Sequence, residues 1–378
     1  MQAGRSDDRR MDRLKSTAKF AVGLMLAGLT GAAPAQGSAP VQGSAPATKA
    51  AAPAAKPAAK TPPAPAPLRL QTLDSATQTD PFPPVNPKLF TADLPSVASV
   101  EGYLHAMLGY DANRIWRVVA IQKTTAVGVS KVTALVSERS PNAKVLSAIF
   151  FVLPDGKHLI APDASGVNPF GVDPFAENRA VLKARAEGPW HGAASKDLLL
   201  VEFADLQCPH CKDAQAIMNR LAQDFPRARI VYESFPLTEI HPYAFQAAAY
   251  GQCIARQNND AFFTYAQAVY DTQGALLPDS VNDTLKNAVV KAGLDPAAIA
   301  TCSTTEPIKA EVNASTALAR DIGIDSTPIL AVNGRMISVT ALPYETLKQL
   351  IVYQAGLDGV SAAAAGPGAA NLEVKPAR

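Results

Sequence analysis

The sequence predicts an α/β protein in which a buried strand, a helix and a C-terminal hairpin belong to one module. Residues 198–204 form an apolar run of strand length, and residues 209–224 follow with apolar side chains at helical spacing. Residues 326–334 place a proline at the start of an apolar strand and an Asn-Gly turn at its end, which is typical of a hairpin. These patterns predict a sheet with helices packed against it.

The first 35 residues have the composition of a signal peptide. Basic residues precede an apolar run at residues 20–30, and small residues follow it up to Ala35. This run is shorter than the roughly 20 residues that span a bilayer. We therefore expect a periplasmic or otherwise exported protein, with cleavage after Ala35. An uncleaved N-terminal membrane anchor stays open as the alternative.

Two further segments have a biased composition that cannot build a packed core. Residues 36–67 are mainly alanine and proline and are predicted to be a low-complexity linker, and residues 358–378 are predicted to be a flexible C-terminal tail. The formal net charge of the 378 residues is only +2. Composition therefore gives no reason to expect nucleic-acid binding.

Between the linker and the module, residues 68–185 are predicted to form a small α+β N-terminal domain. Residues 97–108 have the pattern of an amphipathic helix. Strands are predicted at 115–122, 132–137, 146–153 and 158–160, the last two joined by a Pro-Asp-Gly-Lys turn. A linker with two prolines, at 167–175, then leads to a helix at 177–186.

The chemistry of the chain is expected at Cys208-Pro209-His210-Cys211, where the strand ends and the helix begins. Two thiols at this spacing can exchange a disulfide without a cofactor, so we expect none. Pro209 suits the first helical position, which puts Cys208 at the N-cap. There the unpaired backbone N–H groups and the helix dipole favour a thiolate.

The Cys-x-x-Cys motif has two other interpretations in which it carries no redox chemistry. A structural zinc site needs a second pair of ligands, whereas Cys253 and Cys302 each stand alone and only His241 could be recruited. A purely structural disulfide at this spacing would restrain little chain entropy. A function of another class, a secreted chaperone or metal-binding protein, stays open, and metal analysis would distinguish it from a redox enzyme.

From residue 198 to 357 the chain resembles the DsbA-type thiol-disulfide oxidoreductases of the thioredoxin superfamily. The resemblance rests on three stretches: the segment from Val201 to Lys212 around the Cys-x-x-Cys motif, Phe235-Pro236-Leu237 followed by His241-Pro242, and Thr327-Pro328 before a strand. It implies a thioredoxin fold over residues 186–357 with a helical insertion at about 241–305.

The resemblance also implies a role for each site residue. Cys208 resembles the exposed nucleophile, Cys211 the buried resolving cysteine, and Pro328 the cis-proline that, with Thr327, contacts the substrate backbone. Glu202 resembles the buried carboxylate that handles protons for Cys211, and burial would raise its pKa towards neutrality. The alternative for Glu202 is a solvent-facing residue on an edge strand.

The two remaining cysteines, Cys253 and Cys302, both fall in the helical insertion. In an oxidising compartment we expect them to form a structural disulfide. Free buried thiols are the alternative, and thiol counting on the denatured, unreduced protein would decide.

The direction of the expected reaction depends on two resemblances that disagree. The dipeptide Pro209-His210 favours an oxidase, because a histidine there can stabilise the Cys208 thiolate. The N-terminal domain weakly resembles the dimerising domain of the DsbC and DsbG isomerases, which favours a homodimeric isomerase or reductase. We favour the oxidase. The expected partners are unfolded or reduced exported proteins and a membrane redox protein that reoxidises or reduces the enzyme.

Overall fold

A computed structural model of the protein describes residues 80–162 and 166–361. The predicted signal peptide, the low-complexity linker and most of the C-terminal tail lie outside these ranges. Within them, no helix combines the length and the apolar character needed to cross a membrane.

The N-terminal region consists of a helix and a five-stranded antiparallel sheet in the order β1-β2-β3-β4-β5. Its elements are α1 (Val97–Leu108), β1 (Arg114–Lys123), β2 (Ser130–Glu138), β3 (Leu146–Val152), β4 (His158–Ile160) and β5 (Asn168–Pro169). The side chain of Ser96 caps α1 by accepting the N–H of Ser99. Buried and partly exposed residues alternate along β2, as expected for a sheet with one covered face. The predicted helix and strands are confirmed to within two residues.

The second sheet is mixed and has the strand order β10-β9-β7-β8-β6. Strands β7 and β8 are parallel, and the other pairs are antiparallel. Its strands are β6 (Trp190–Gly192), β7 (Leu199–Ala204), β8 (Arg229–Ser234), β9 (Ile329–Val332) and β10 (Arg335–Ser338). Helix α3 (Pro209–Asp224) follows β7 in the chain, and helix α9 (Tyr344–Leu357) follows β10. Every residue of the central strand β7 is buried. This is a thioredoxin-like α/β fold, as the sequence predicts.

A group of helices is inserted between β8 and β9. They are α4 (Ala244–Gln257), α5 (Asn259–Asp271), α6 (Val281–Lys291), α7 (Pro296–Ser303) and α8 (Glu306–Asp321). The first four match the predicted insertion at about 241–305. Leu318 and Ala319 of α8 instead join the core on one face of the second sheet, which connects the insertion to the sheet.

The sequence pattern does not predict strand β6 or the sheet on which helix α2 packs. The edge strand β6 is three residues long and ends in glycine, so it has too few residues to show a period. Helix α2 (Ala176–Arg185), predicted as the end of the N-terminal domain, buries Leu182 in the same cluster as Leu199 and Val201 of β7. It therefore packs on the second sheet.

The N-terminal region contacts the second sheet through the end of α1. The buried guanidinium of Arg335 donates hydrogen bonds to the carbonyl oxygens of Ala106 and Met107, and it lies over the ring of Phe175. Tyr353 on α9 donates its hydroxyl to the carbonyl oxygen of His105 at 2.6 Å. The bonds from Arg335 satisfy two carbonyls at the end of the helix that have no partner within it, and the bond from Tyr353 adds a second donor to a carbonyl that already accepts the N–H of Gly109.

Candidate active site

The Cys-x-x-Cys motif forms the first turn of α3, at the end of the central strand. Cys208 is the N-cap with extended backbone angles, and Pro209 occupies the first helical position. The carbonyl oxygen of Cys208 accepts the N–H of Cys211 at 3.1 Å and that of Lys212 at 3.3 Å. The N-cap position predicted for Cys208 is thus the one observed, and its sulfur lies at the positive end of the helix.

The two thiols have opposite electrostatic environments. The pKa of Cys208 is lowered to about 5, chiefly by a hydrogen bond from the thiol of Cys211, with further contributions from Thr327 and the N–H groups of Cys211 and His210. Burial, together with the hydrogen bond to Cys208, raises the pKa of Cys211 far above its usual value. Near neutral pH the reduced pair therefore carries one thiolate, and it is on Cys208.

The expectation of an exposed Cys208 is wrong. Cys208 is only 4% exposed, and Cys211 is fully buried. The reason is that the loop before β9 covers the first turn of α3: Cys208 Sγ lies 3.9 Å from the carbonyl oxygen of Thr327. The Thr327–Pro328 peptide bond in this loop is cis.

His210 contributes to the site in a way that the sequence does not indicate. His210 is exposed, and the group of this residue that lowers the pKa of Cys208 is the backbone N–H. The helix geometry that Pro209 favours supplies this donor, whatever side chain stands at position 210.

Glu202 is buried in the middle of β7, the strand that precedes the motif. It is 4% exposed, and burial raises its pKa to about 7, although a hydrogen bond from Gln215 acts in the opposite direction. The alternative of a solvent-facing glutamate on an edge strand is wrong, because β7 is the central strand of the sheet. A carboxyl group that titrates near neutrality can accept and return a proton.

Gln215 joins this carboxyl group to the motif. Its Nε2 donates to Glu202 Oε1 at 3.1 Å and to the carbonyl oxygen of Cys211 at 3.1 Å. Gln215 lies one helical turn after Cys211, and this spacing is the sequence feature that could have identified it as a neighbour of the motif. The polarity of a single glutamine was not enough to distinguish it from a surface residue.

The helical insertion supplies groups that hold the loop before the motif. Gln273 Nε2 donates to the carbonyl oxygens of Leu206 and Cys208, both at 2.9 Å. Gln207 accepts the N–H of Tyr243 at 2.8 Å and donates to the carbonyl oxygen of Leu276 at 3.5 Å. These contacts join segments far apart in the sequence, and no local pattern predicts them.

In the apolar cluster that contains both thiols, the buried hydroxyls of Tyr232 and Tyr270 lie 3.2 Å apart. Burial raises the pKa of both hydroxyls well above the usual value. Both tyrosines therefore stay neutral beside the dithiol.

Cys253 and Cys302 form a disulfide between α4 and α7, with their Cα atoms 6.1 Å apart. Cys253 is buried in the same apolar cluster as Cys208 and Cys211, and Cys302 packs against that cluster. The two cysteine pairs thus belong to one core.

His241, considered from the sequence as an extra zinc ligand, instead lies with its Nδ1 2.8 Å from Asp205 Oδ2. In the described ranges, histidine, cysteine, aspartate and glutamate side chains do not come together in groups of three that could hold a metal ion.

A match to a family model agrees with this architecture over part of the chain. Residues 185–352 match the family model Thioredoxin_4, described as thioredoxin. Among solved structures, a periplasmic thioredoxin-like protein from Salmonella enterica serovar Typhimurium is 22% identical and covers 48% of this chain and 97% of its own, with a TM-score of 0.41. BdbD from Bacillus subtilis in its oxidised form is 19% identical and covers 46% and 95%, with a TM-score of 0.40.

Curated relatives match over a shorter stretch. Na(+)/H(+) antiporter NhaA 3 of Salinispora tropica is 33% identical over 87 residues, and NhaA 1 of Mycolicibacterium vanbaalenii is 30% identical over 104 residues. These stretches are 23% and 27% of this chain, but only 13% and 15% of the antiporters. The family match and the fold define residues 185–352 as a thioredoxin-like domain.

Proposed function

We propose that the protein is an exported thiol oxidase that donates the Cys208–Cys211 disulfide to folding proteins. The observation that carries this proposal is the asymmetry of the two thiols, with the pKa of Cys208 lowered to about 5 and that of Cys211 raised. A stabilised thiolate favours the reduced form of the dithiol, and this makes the corresponding disulfide a strong oxidant.

In the proposed reaction, the thiolate of a substrate attacks Cys208 Sγ of the oxidised enzyme. The bond between Cys208 and Cys211 breaks, Cys211 leaves with the electron pair and takes up a proton, and a mixed disulfide joins the substrate to Cys208. A second thiolate of the substrate then attacks the substrate sulfur of this mixed disulfide. Cys208 leaves as the stabilised thiolate, so the substrate loses two electrons and the enzyme gains them.

Glu202 and Gln215 support the proton transfer in this scheme. The carboxyl group of Glu202 is buried, has a pKa of about 7, and is linked through Gln215 to the carbonyl oxygen of Cys211. We propose that it supplies the proton that Cys211 takes up when it leaves and removes that proton when the disulfide is restored.

The surroundings of the motif favour an extended polypeptide as the substrate. The loop at Thr327 and Pro328 brings main-chain groups next to Cys208, and a substrate backbone can pair with such groups. Ile240 and Leu277 are 68% and 56% exposed. Each is next in sequence to a residue that contacts the loop before the motif, since His241 bonds to Asp205 and Leu276 bonds to Gln207. Exposed apolar residues of this kind suit unfolded, reduced proteins.

Equilibration of the purified protein with glutathione buffers tests the direction of the reaction. We expect a potential near the roughly −120 mV of strong oxidases, well above the about −270 mV of thioredoxin. The fraction of reduced protein at each buffer ratio would be read by acid quenching and thiol alkylation. A potential near that of thioredoxin would reject the oxidase and favour a reductase.

The isomerase alternative depends on the N-terminal region forming a homodimer. Sedimentation analysis of the full chain tests it, since a dimer together with activity on scrambled disulfides would favour the isomerase. Export is tested by fractionating cells and sequencing the N-terminus of the mature protein, which is expected to begin at Gln36. Stoichiometric zinc or copper in the reduced protein would favour the metal-binding alternative.

A further inference from the structure

Asp205, between the central strand and the motif, has a buried carboxylate with three hydrogen-bond donors. Its Oδ1 accepts the N–H of Gln207 at 2.7 Å. Its Oδ2 accepts the N–H of Leu237 at 2.8 Å and lies 2.8 Å from His241 Nδ1. Asp205 is 1% exposed, and the side chain of His241 is 16% exposed. The pair thus connects the loop before the motif to the segment that follows β8.

The main chain of Asp205 contacts both cysteines of the motif. Its N–H points at Cys211 Sγ with an N···S distance of 3.4 Å, and its carbonyl oxygen accepts the N–H of Cys208 at 3.0 Å. The Asp205 carboxylate bonds to Gln207 in the loop and to Leu237 and His241 in the segment after β8. These three bonds fix the orientation of the residue, and with it the direction of the Asp205 N–H. The N–H in turn stabilises negative charge on a sulfur that is otherwise buried in apolar surroundings.

We propose that Asp205 and His241 are positioning residues for disulfide exchange, which hold the N–H of Asp205 against Cys211 when Cys211 leaves as a thiolate. This inference rests on the proposed function. When a thiolate attacks Cys208, the electron pair of the broken S–S bond goes to Cys211, and the charge appears 3.4 Å from this donor. His241 acts through Asp205, because its ring bonds to the carboxylate and not to either sulfur.

The chain contains a matched control. Asp155, in the turn between β3 and β4, and His158, the first residue of β4, have the same pairing of Nδ1 with Oδ2, and Asp155 also accepts backbone N–H groups. This second pair lies in the N-terminal region, and neither of its residues contacts the motif. His158→Ala therefore removes the same kind of contact at a more exposed site, away from the dithiol.

The experiment measures the rate at which reduced glutathione attacks the oxidised full-length protein, with acid quenching and mass spectrometry to detect the mixed disulfide. We expect His241→Ala to slow this step about tenfold, because an Asp205 carboxylate without this bond no longer holds the Asp205 N–H in line with the charge that develops on Cys211. His241→Asn should restore most of the rate, because its amide nitrogen can occupy the place of Nδ1. His158→Ala should react like the wild type.

A wild-type rate in His241→Ala would overturn the inference, and so would equal losses in the alanine and asparagine variants. If His241→Ala does not fold, Asp205→Asn serves instead: it keeps an acceptor for Gln207 and places an NH₂ group against Leu237 and His241. The inference then requires a slower reaction, and a wild-type rate rejects it. Failure of the wild-type protein to form any mixed disulfide would reject the proposed function itself.

Discussion

The two cysteine pairs of this protein share one apolar core but differ in what surrounds each sulfur. Cys208 lies at a helix N-cap among backbone donors, and its partner is three residues away. Cys253 and Cys302 lie on α4 and α7, separated by 49 residues, and are joined as a disulfide. By the loop-closure estimate, the long loop contributes about 4 kcal/mol of stability and the short one about 2 kcal/mol. Because both pairs belong to the same core, the groups around each sulfur, more than burial, separate the reactive pair from the structural one.

The largest expected effect that distinguishes the pairs is on activity. Cys208→Ser should reduce oxidation of a reduced model protein to the background rate, because the sulfur that substrates attack is gone. The double variant Cys253→Ser/Cys302→Ser should retain activity at a temperature where it is folded. Activity in Cys208→Ser, or its loss in the folded double variant, would remove the distinction between the pairs.

The next effect is on stability and falls on the other pair. We expect the Cys253→Ser/Cys302→Ser variant to lose about 4 kcal/mol of unfolding free energy. Urea titration of the variant and of the wild type, each with the Cys208–Cys211 pair reduced, measures this difference. Equal midpoints and slopes would show that the disulfide between α4 and α7 contributes nothing to stability.

The Cys208 thiolate gives a pH dependence that the structural pair cannot show. The ultraviolet thiolate absorbance of the reduced protein should titrate with a midpoint near pH 5, because the pKa of Cys208 is lowered to about 5 from 9.0. A lowered pKa stabilises the fold fully above pH 9 and loses this contribution as pH falls through 5. Cys208→Ser is the control. A midpoint near that of a free thiol would contradict the proposed oxidant.

Glu202 should produce the opposite dependence on pH. Its pKa is raised from 4.5 to about 7 by burial, so the folded state binds more protons between these values. The unfolding free energy should therefore fall by about 3 kcal/mol as pH rises from 4.5 to 7, and Glu202→Gln should remove this slope. Urea titrations of the oxidised protein across this range measure it. An unchanged slope in the variant would assign the dependence to another group.

The smallest effect is expected for Gln215. Its hydrogen bond lowers the pKa of Glu202, so Gln215→Leu should raise that pKa further above 7. Infrared detection of the protonated carboxyl group as a function of pH would follow the shift, with Glu202→Gln identifying the band. A lower pKa in the variant would contradict the bond as described.

The parts of this protein that could be predicted from the sequence are those determined by local patterns. Helix α3 and the N-cap position of Cys208 follow from Pro209 and the apolar spacing after it, and both were predicted within a residue. Strand β9 and its turn at Asn333 follow in the same way from a short apolar run and an Asn-Gly pair.

The contacts that shape the site could not be predicted, because they join distant segments. Gln273 reaches Cys208 across 65 positions of sequence, and His241 reaches Asp205 across 36. The burial of Cys208 depends on Thr327, 119 positions away. A polar residue in such a role has no period or neighbouring motif, so it does not differ in sequence from a residue that faces solvent.

Arg335 has a consequence for how the protein can be divided into fragments. It is 5% exposed, burial lowers its pKa to about 10, and it donates to two carbonyl oxygens of α1. A fragment that starts after the N-terminal region would expose this guanidinium together with the apolar surface around it. An expression fragment that begins upstream of α1 keeps this surface covered, whereas one that begins at α2 leaves the guanidinium to water and the apolar surface exposed to other molecules.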